Sequence, residues 1–137
     1  DVAPSRGLGD VYKRQAVIYQ FPFYWMSAPS LLKKWQDEVF TFLSKTPAVA
    51  GKPLTVVTTT GSEYEAYRSG GRNRFTTDEL LRPYQVNAIH SGMSWQTPIV
   101  VYGMGTADAG KNIAEGANLY KQRVEMLIGN SNAGNNW

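Results

Sequence analysis

The chain is 137 residues long, with 42% hydrophobic residues, 18% charged residues and a formal charge of +3, so it forms one domain at most, with enough apolar side chains for a real core. It has no cysteine and a single histidine, which excludes disulfides, thiol catalysis and metal sites built from cysteines or from several histidines. The charge is too weak and dispersed to argue for nucleic acid, and no stretch is apolar enough, over the length needed, to span a membrane.

Residues 1–15, DVAPSRGLGDVYKRQ, show no apolar periodicity and do not read like the start of a domain. Residues 10–15 look like the translation of a sequencing-adapter remnant, so the expectation is a non-native or irregular leader. No signal-peptide pattern is visible, and a cytoplasmic protein is expected. A strand starts abruptly at residues 16–21, AVIYQF, an apolar, β-branched and aromatic run. Pro22 ends it, because proline lacks the N–H that a central strand needs. Phe23, Tyr24, Trp25 and Met26 make the turn, and Pro29 opens a helix from the position where proline is best tolerated. Leu31, Leu32, Trp35, Val39, Phe40 and Leu43 recur at helical spacing, opposite Lys33, Lys34, Gln36, Asp37 and Glu38.

After a connection over residues 41–51, Leu54, Thr55, Val56 and Val57 predict a second buried strand. It ends in Thr58, Thr59, Thr60, Gly61 and Ser62, small residues suited to a tight turn. Residues 63–77 read as a long polar loop of the kind that often carries function. Thr77 or Asp78 is expected to cap a helix through Leu80, Leu81, Tyr84, Val86, Ala88 and Ile89, with Pro83 early in it or kinking it. Ser91 and Gly92 end that helix. A third strand is predicted at residues 98–102, PIVVY, followed by a glycine-rich turn at Gly103, Met104 and Gly105. The last helix spans about residues 108–128, with Ile113, Leu119, Tyr120, Val124 and Leu127 on one side, and residues 129–137 read as a flexible tail. The order β-α-β-α-β-α predicts an α/β fold, a parallel sheet with right-handed crossovers. An aromatic turn at the carboxyl end of such a sheet lies where open α/β sheets bind their ligands.

The ordered run Phe21, Pro22, Phe23, Tyr24, Trp25, then Pro29, Leu31, Leu32, Lys33, Trp35, Asp37, Val39 and Phe40 closely resembles the NAD(P)H dehydrogenase (quinone) family. These are flavodoxin-like flavoproteins, among them the ancillary oxidoreductases of glutathione-regulated potassium efflux systems. The resemblance covers about residues 16–128 and implies a flavodoxin-like three-layer αβα fold in which only the last three β-α units are present. The strand at residues 16–21 would then be an exposed edge. The resemblance further implies a flavin, FMN or FAD, with NAD(P)H as co-substrate and a quinone as acceptor, in a homodimer with the site near its interface. The alternative is a non-catalytic regulatory partner of a potassium efflux transporter, which would lie at the inner face of the cell membrane.

In that family the turns after the third and fourth strands both touch the flavin ring. Carried over position by position, they are Phe23, Tyr24, Trp25 and Met26, and Thr58, Thr59, Thr60 and Gly61. The chemistry agrees: a flavin ring is a large aromatic plane that wants stacked side chains beneath it and donors at its polar edge. Trp25 suits the first need; hydroxyls and backbone N–H groups of the second turn suit the other. The cofactor carries the hydride, so no catalytic residue is assigned and no metal is expected. Thr60 stands where the family pattern has a glycine. If that position needed φ > 0, a β-branched residue would be costly there. Residues 41–50 are also shorter than the family's substrate-covering segment, so substrate preference does not carry over.

His90 and the glycine-rich turn add nothing to this chemistry. His90 sits at a helix end, remote from both turns, and is expected to cap or pack. Gly105, Gly110, Lys111 and Asn112 nearly spell a phosphate-binding loop after a strand and before a helix, but Asn112 lacks the hydroxyl that ligates magnesium, and Asp108 would sit beside the phosphates.

Overall fold

The computed structural model describes residues 16–132; the expected leader at 1–15 and most of the expected tail lie outside them. Strand β1 (Val17–Pro22) pairs in parallel with β2 (Pro53–Thr59), Tyr19 opposite Val56 and Phe21 opposite Thr58. On the other side of β2 lie two short parallel strands, β3 (Ser94–Trp95) against Pro53 and Leu54, and β4 (Ile99–Val101) against Val57, Thr58 and Thr59. They are one strand with a break. Pro98 cannot donate to the ladder, and Gln96 makes the last contact before it, N–H to the Leu54 carbonyl at 3.0 Å. The sequence predicted the β4 half; the β3 half is too short and polar to show a strand pattern. Among the described residues β1 pairs only with β2, so its other edge is open.

Helix α1 (Ser30–Trp35) runs through a π-helical stretch, Gln36–Phe40, into a last α-helical turn, Thr41–Leu43. The Thr41 hydroxyl donates to the Gln36 carbonyl at 3.1 Å, within the widened turn. The extra residue in that turn brings Phe40 and Leu43 to the core and leaves Val39 outside, 40% exposed, as is Leu31 at 75%. Both were expected on the inner face. Helix α2 (Thr77–Leu80) is capped by Thr76, one residue earlier than expected. The Thr76 hydroxyl accepts from the Glu79 N–H at 3.1 Å, and the Glu79 carboxylate accepts from the Thr76 N–H at 3.0 Å, a reciprocal capping box. Pro83 then opens a separate helix, α3 (Arg82–His90), in the first turn, where its missing N–H costs nothing.

Tyr19 and Phe21 of β1, Leu54 and Val56 of β2, and Leu81, Tyr84 and Ala88 form one core with Phe40 and Leu43. The Tyr19 ring meets its neighbours edge-on, at 6.0 Å from Trp35 and 6.2 Å from Tyr84. The opposite face of the sheet carries helix α4 (Ala109–Asn132), whose first residues past the expected end, from residue 129, are still helical. Its inner stripe differs from the apolar pattern: Ile113 and Leu119 are about half exposed, while Gly116 packs on β4. A Cβ at Gly116 would stand 2.3 Å from Val101 Cγ2. The helix docks through its smallest residue, which no hydrophobicity pattern can reveal.

Candidate flavin site

The carboxyl ends of β1, β2 and β4 each pass into a turn, and backbone hydrogen bonds lace the turns together. The Phe23 N–H donates to the Thr59 carbonyl at 2.8 Å, and the Thr60 N–H to the Val101 carbonyl at 2.9 Å. In return, the Met104 and Gly105 N–H groups donate to the Thr60 and Gly61 carbonyls at 2.8 and 2.9 Å, and that of Gly103 to Ser62 at 2.8 Å.

The first turn is a tight hairpin. Tyr24 and Ser27 exchange both backbone bonds, at 2.8 and 3.0 Å, around Trp25 (φ 49°) and Met26 (φ 61°). Two successive positive φ values define a type I′ turn, which normally calls for Asn-Gly. A tryptophan and a methionine there store strain of about 1–3 kcal/mol each, which persists only where the surroundings over-determine it. Here Tyr84 supplies the hold: its hydroxyl accepts from the Ala28 N–H at 3.1 Å and bonds the Ser27 hydroxyl at 3.2 Å. The product is an indole presented to solvent, with Trp25 96% exposed.

The structure brings the two expected turns side by side but divides their residues by role. Phe23 points inward, its ring 6.0 Å from Tyr67, and the side chains of Thr58 and Thr60 are buried. The Thr60 hydroxyl donates to the Ser62 carbonyl at 2.8 Å, and Thr60 is not among the residues of positive φ, so its β-branch costs nothing here. Gly61 likewise has neither a positive φ nor any atom within 4 Å of a built Cβ. Side-chain reach therefore rests with Tyr24, Trp25, Met26 and the half-buried Thr59, while Gly61 offers its backbone. Among the described residues the N–H groups of Trp25, Met26, Gly61 and Ser62 donate to no backbone carbonyl.

Sequence reasoning missed the aromatic wall behind this edge. Tyr102, just past β4, lies 5.2 Å from the ring of Tyr64 and 5.8 Å from that of Tyr67. Its hydroxyl pairs with that of Thr77 at 2.6 Å. Burial pushes the Tyr102 phenol above its ordinary value, against the opposing pull of the Thr77 bond. The usable signal was the tyrosine pair at 64 and 67, three apart, directly after the second turn. Residues 64 and 67 bound a 3₁₀ helix, Tyr64–Tyr67, inside the expected loop.

His90 is exposed in the last turn of α3, in a groove with Lys33, Asp37 and Lys45 between α1 and α3, and is not among the residues of the three turns. The near-phosphate-loop has its leading amides already bonded. The N–H groups of Met104, Gly105 and Thr106 all have carbonyl partners, Asp108 N–H bonds the Thr106 hydroxyl at 3.2 Å, and the Asn112 amide donates to the Tyr102 carbonyl at 2.8 Å. Among the described residues no His, Cys, Asp or Glu group of three could hold a metal, and no helix is long and apolar enough to cross a membrane.

A parallel sheet between helix layers, with laced turns at its carboxyl edge, defines a doubly wound α/β domain, a class in which ligands bind at that edge. The chain belongs to the flavodoxin-like fold family, whose model matches residues 8–124. It is 40% identical over 130 residues to general stress protein 14 of Bacillus subtilis, covering 92% of this chain and 73% of that protein. It is 38% identical to an uncharacterized NAD(P)H oxidoreductase, YdeQ, of the same species, covering 81% and 58%. It is also 42% identical to the glutathione-regulated potassium-efflux system ancillary protein KefG of Serratia proteamaculans, covering 66% and 51%. The chain thus spans between half and three quarters of these relatives.

Among solved structures, a thermophilic tryptophan halogenase from Streptomycin violaceusniger superposes with a TM-score of 0.79 at 35% identity, covering 90% of this chain and 73% of that one. An NADPH-quinone reductase from P. pentosaceus gives 0.71 at 29%, covering 85% and 73%. General stress protein 14 of Treponema denticola, in complex with FMN, gives 0.78 at 25%, covering 93% and 74%. One fold here carries more than one named activity, so function must be argued from the site.

Proposed function

We propose that the laced turns hold a flavin and that the protein is a flavin-dependent NAD(P)H:quinone oxidoreductase. The observation that carries this reading is the strained Trp25–Met26 turn, which presents an exposed indole and is bonded through Phe23 and Thr59 to a second turn with open backbone donors. An aromatic plane and a row of N–H groups match the two faces of a flavin's needs, a stacking surface and donors for its ring nitrogens and oxygens. The residues present fit the group: Trp25 would stack, Tyr24 and Met26 would flank it, and the N–H groups of Gly61 and Ser62 would serve the polar edge. Tyr64 and Tyr102 wall the site on the far side of the second turn. Bound flavin supplies hydride acceptance from a nicotinamide and two-electron delivery to a quinone; the protein supplies position and exclusion of water. FMN is favoured over FAD, because the Treponema denticola neighbour was solved with FMN. The exposed cluster of Tyr24, Trp25 and Met26 also suits closure by a second copy of the chain.

A second reading, a regulatory partner of a potassium efflux transporter, draws on the KefG relatives. One experiment separates the two. Wild-type protein is titrated with FMN and then assayed with NADPH and a soluble quinone. Flavin binding with turnover supports the reductase, and flavin binding without turnover supports the regulatory partner. Absence of flavin binding defeats both the site and the reductase reading.

A further inference from the structure

The facing sides of α1 and α3 carry more polar chemistry than helix packing needs. Along the first, Lys33, Gln36, Asp37, Phe40 and Lys45 recur at near-helical spacing through the π-helical stretch and beyond it; along the second, Tyr84, Asn87 and His90 do the same. They line one groove of about 470 Å³, within the range of about 300–1,000 Å³ usual for small-molecule sites. A π-helical turn inside an α-helix is itself a feature that recurs at functional sites. None of Tyr24, Trp25, Met26, Thr59 and Gly61 lines this groove, so it is separate from the candidate flavin site.

Its charges do not cancel. The Lys33 ammonium donates to the Asp37 carboxylate at 2.7 Å, and the two balance. Among the described residues Lys45 has no carboxylate within ion-pair distance, which leaves the groove positive, with the His90 imidazole as a further donor. The hydroxyls are turned back onto their own helices. Thr41 donates to the Gln36 carbonyl at 3.1 Å, Ser44 to the Thr41 carbonyl at 3.2 Å, and Ser91 to the Asn87 carbonyl at 2.8 Å.

The Gln36 amide is the exception, since its nitrogen is buried without a hydrogen-bond partner. Burial raises the Tyr19 phenol and the Gln36 side chain beside it pulls the other way, yet the Tyr19 hydroxyl is unpartnered too. A buried donor left unmatched is costly, and such groups mark places where a partner belongs. Beside it the groove is lined by two buried rings, Phe40 and Tyr84.

An unmatched amide donor, an unpaired ammonium and two rings in one groove match a small anion with an apolar body. We propose that this groove binds a small organic monocarboxylate, the carboxylate drawn by the Gln36 amide and Lys45 and the body resting on Phe40 and Tyr84. Asp37 works against a doubly charged phosphate, because like charges repel across so short a space. The proposal does not depend on the flavin reading.

Benzoate is the probe, titrated into the 137-residue chain and followed by proton NMR, with benzamide and inorganic phosphate as comparisons. The chain has a single histidine, so one set of imidazole signals reports on the groove. Benzoate should move those signals saturably, and benzamide and phosphate should bind at least about fivefold more weakly. Lys45→Ala changes an exposed residue, and Gln36→Leu replaces the unmatched amide with an apolar side chain of similar size. Each should weaken benzoate by about threefold to tenfold, while an unchanged methyl spectrum shows the fold intact. No saturable shift in the wild type, or unchanged benzoate affinity in either variant, overturns the proposal. Equal affinity for phosphate also overturns it, as that would be a general anion patch, and equal affinity for benzamide removes the role of charge. Shifts at a tryptophan indole N–H with His90 unmoved would put benzoate at the Trp25 turn instead and count against the groove.

Discussion

The Phe23 N–H and the Thr59 carbonyl, 2.8 Å apart, join the two turns that the sequence could only name separately. Each turn alone is an ordinary strand exit. Joined, they bring the Trp25 turn and the Gly61 turn to one edge of the sheet, and the proposed site depends on that bond more than on either segment.

Trp25→Ala should lower FMN affinity by about two- to tenfold, the loss of an aromatic stacking partner worth about 0.5–1.5 kcal/mol. Because Trp25 is 96% exposed, the melting temperature should not move. Fluorescence titration checks both, since flavin should quench tryptophan emission in the wild type and much less in the variant. An unchanged dissociation constant would end the stacking role.

Replacing the strained pair with the residues its geometry prefers, Trp25→Asn with Met26→Gly, should stabilise the fold by about 1 kcal/mol while weakening flavin binding. Urea denaturation gives the first quantity and flavin titration the second. Stability and binding that fall together would show that the turn is not strained as described.

Gly116→Ala should destabilise by about 1–3 kcal/mol, because its methyl group must displace Val101 where the built Cβ stands 2.3 Å from Cγ2. The double variant with Val101→Ala should recover part of the loss. A double-mutant cycle measures the coupling, and strict additivity would mean that α4 and β4 do not meet as observed.

Alkaline pH should unfold the protein in a way that Tyr102 and Tyr19 share. Burial raises both phenols above the ordinary value of 10.0, so the unfolded chain releases these protons first as pH climbs. The stability they contribute is complete below pH 10 and disappears as pH rises through the folded values. Tyr102→Phe should flatten that decline, as followed by denaturation between pH 8 and pH 11 with phenolate absorbance as the second readout.

Magnesium-ATP should not bind near Lys111, since the Met104, Gly105, Thr106 and Asp108 amides of the preceding turn already have partners, in the Thr60–Gly61 turn or within their own. Calorimetry showing affinity that disappears in Lys111→Ala would overturn the assignment of this edge to a flavin.

The parallel sheet, the aromatic turn and the turn after the second strand were legible because β-branched runs and prolines mark strand ends whatever surrounds them. Three of the features that were not have local causes. The π-helical turn changes which of Val39 and Phe40 faces inward, and periodicity assumes a constant pitch. The capping box assigns Thr76 as the cap although Thr77 and Asp78 are equally good capping residue types, and only the Tyr102 hydroxyl explains why Thr77 is turned inward. The type I′ turn is carried by Trp25 and Met26, residues that no turn rule would choose. Local preference fails there because bonds from a distant helix outweigh it.

That distance has a consequence for the order of folding. The Tyr84 hydroxyl that fixes Ser27 and Ala28 comes from 57 and 56 residues further along the chain. The hairpin it secures is unfavourable by itself, so it gains nothing by forming early. Strand pairing between β1 and β2 and the docking of α3 must come first, and only then does the indole acquire its fixed direction. Competence to receive a ligand therefore arrives after the core, as the closing event of a non-local closure.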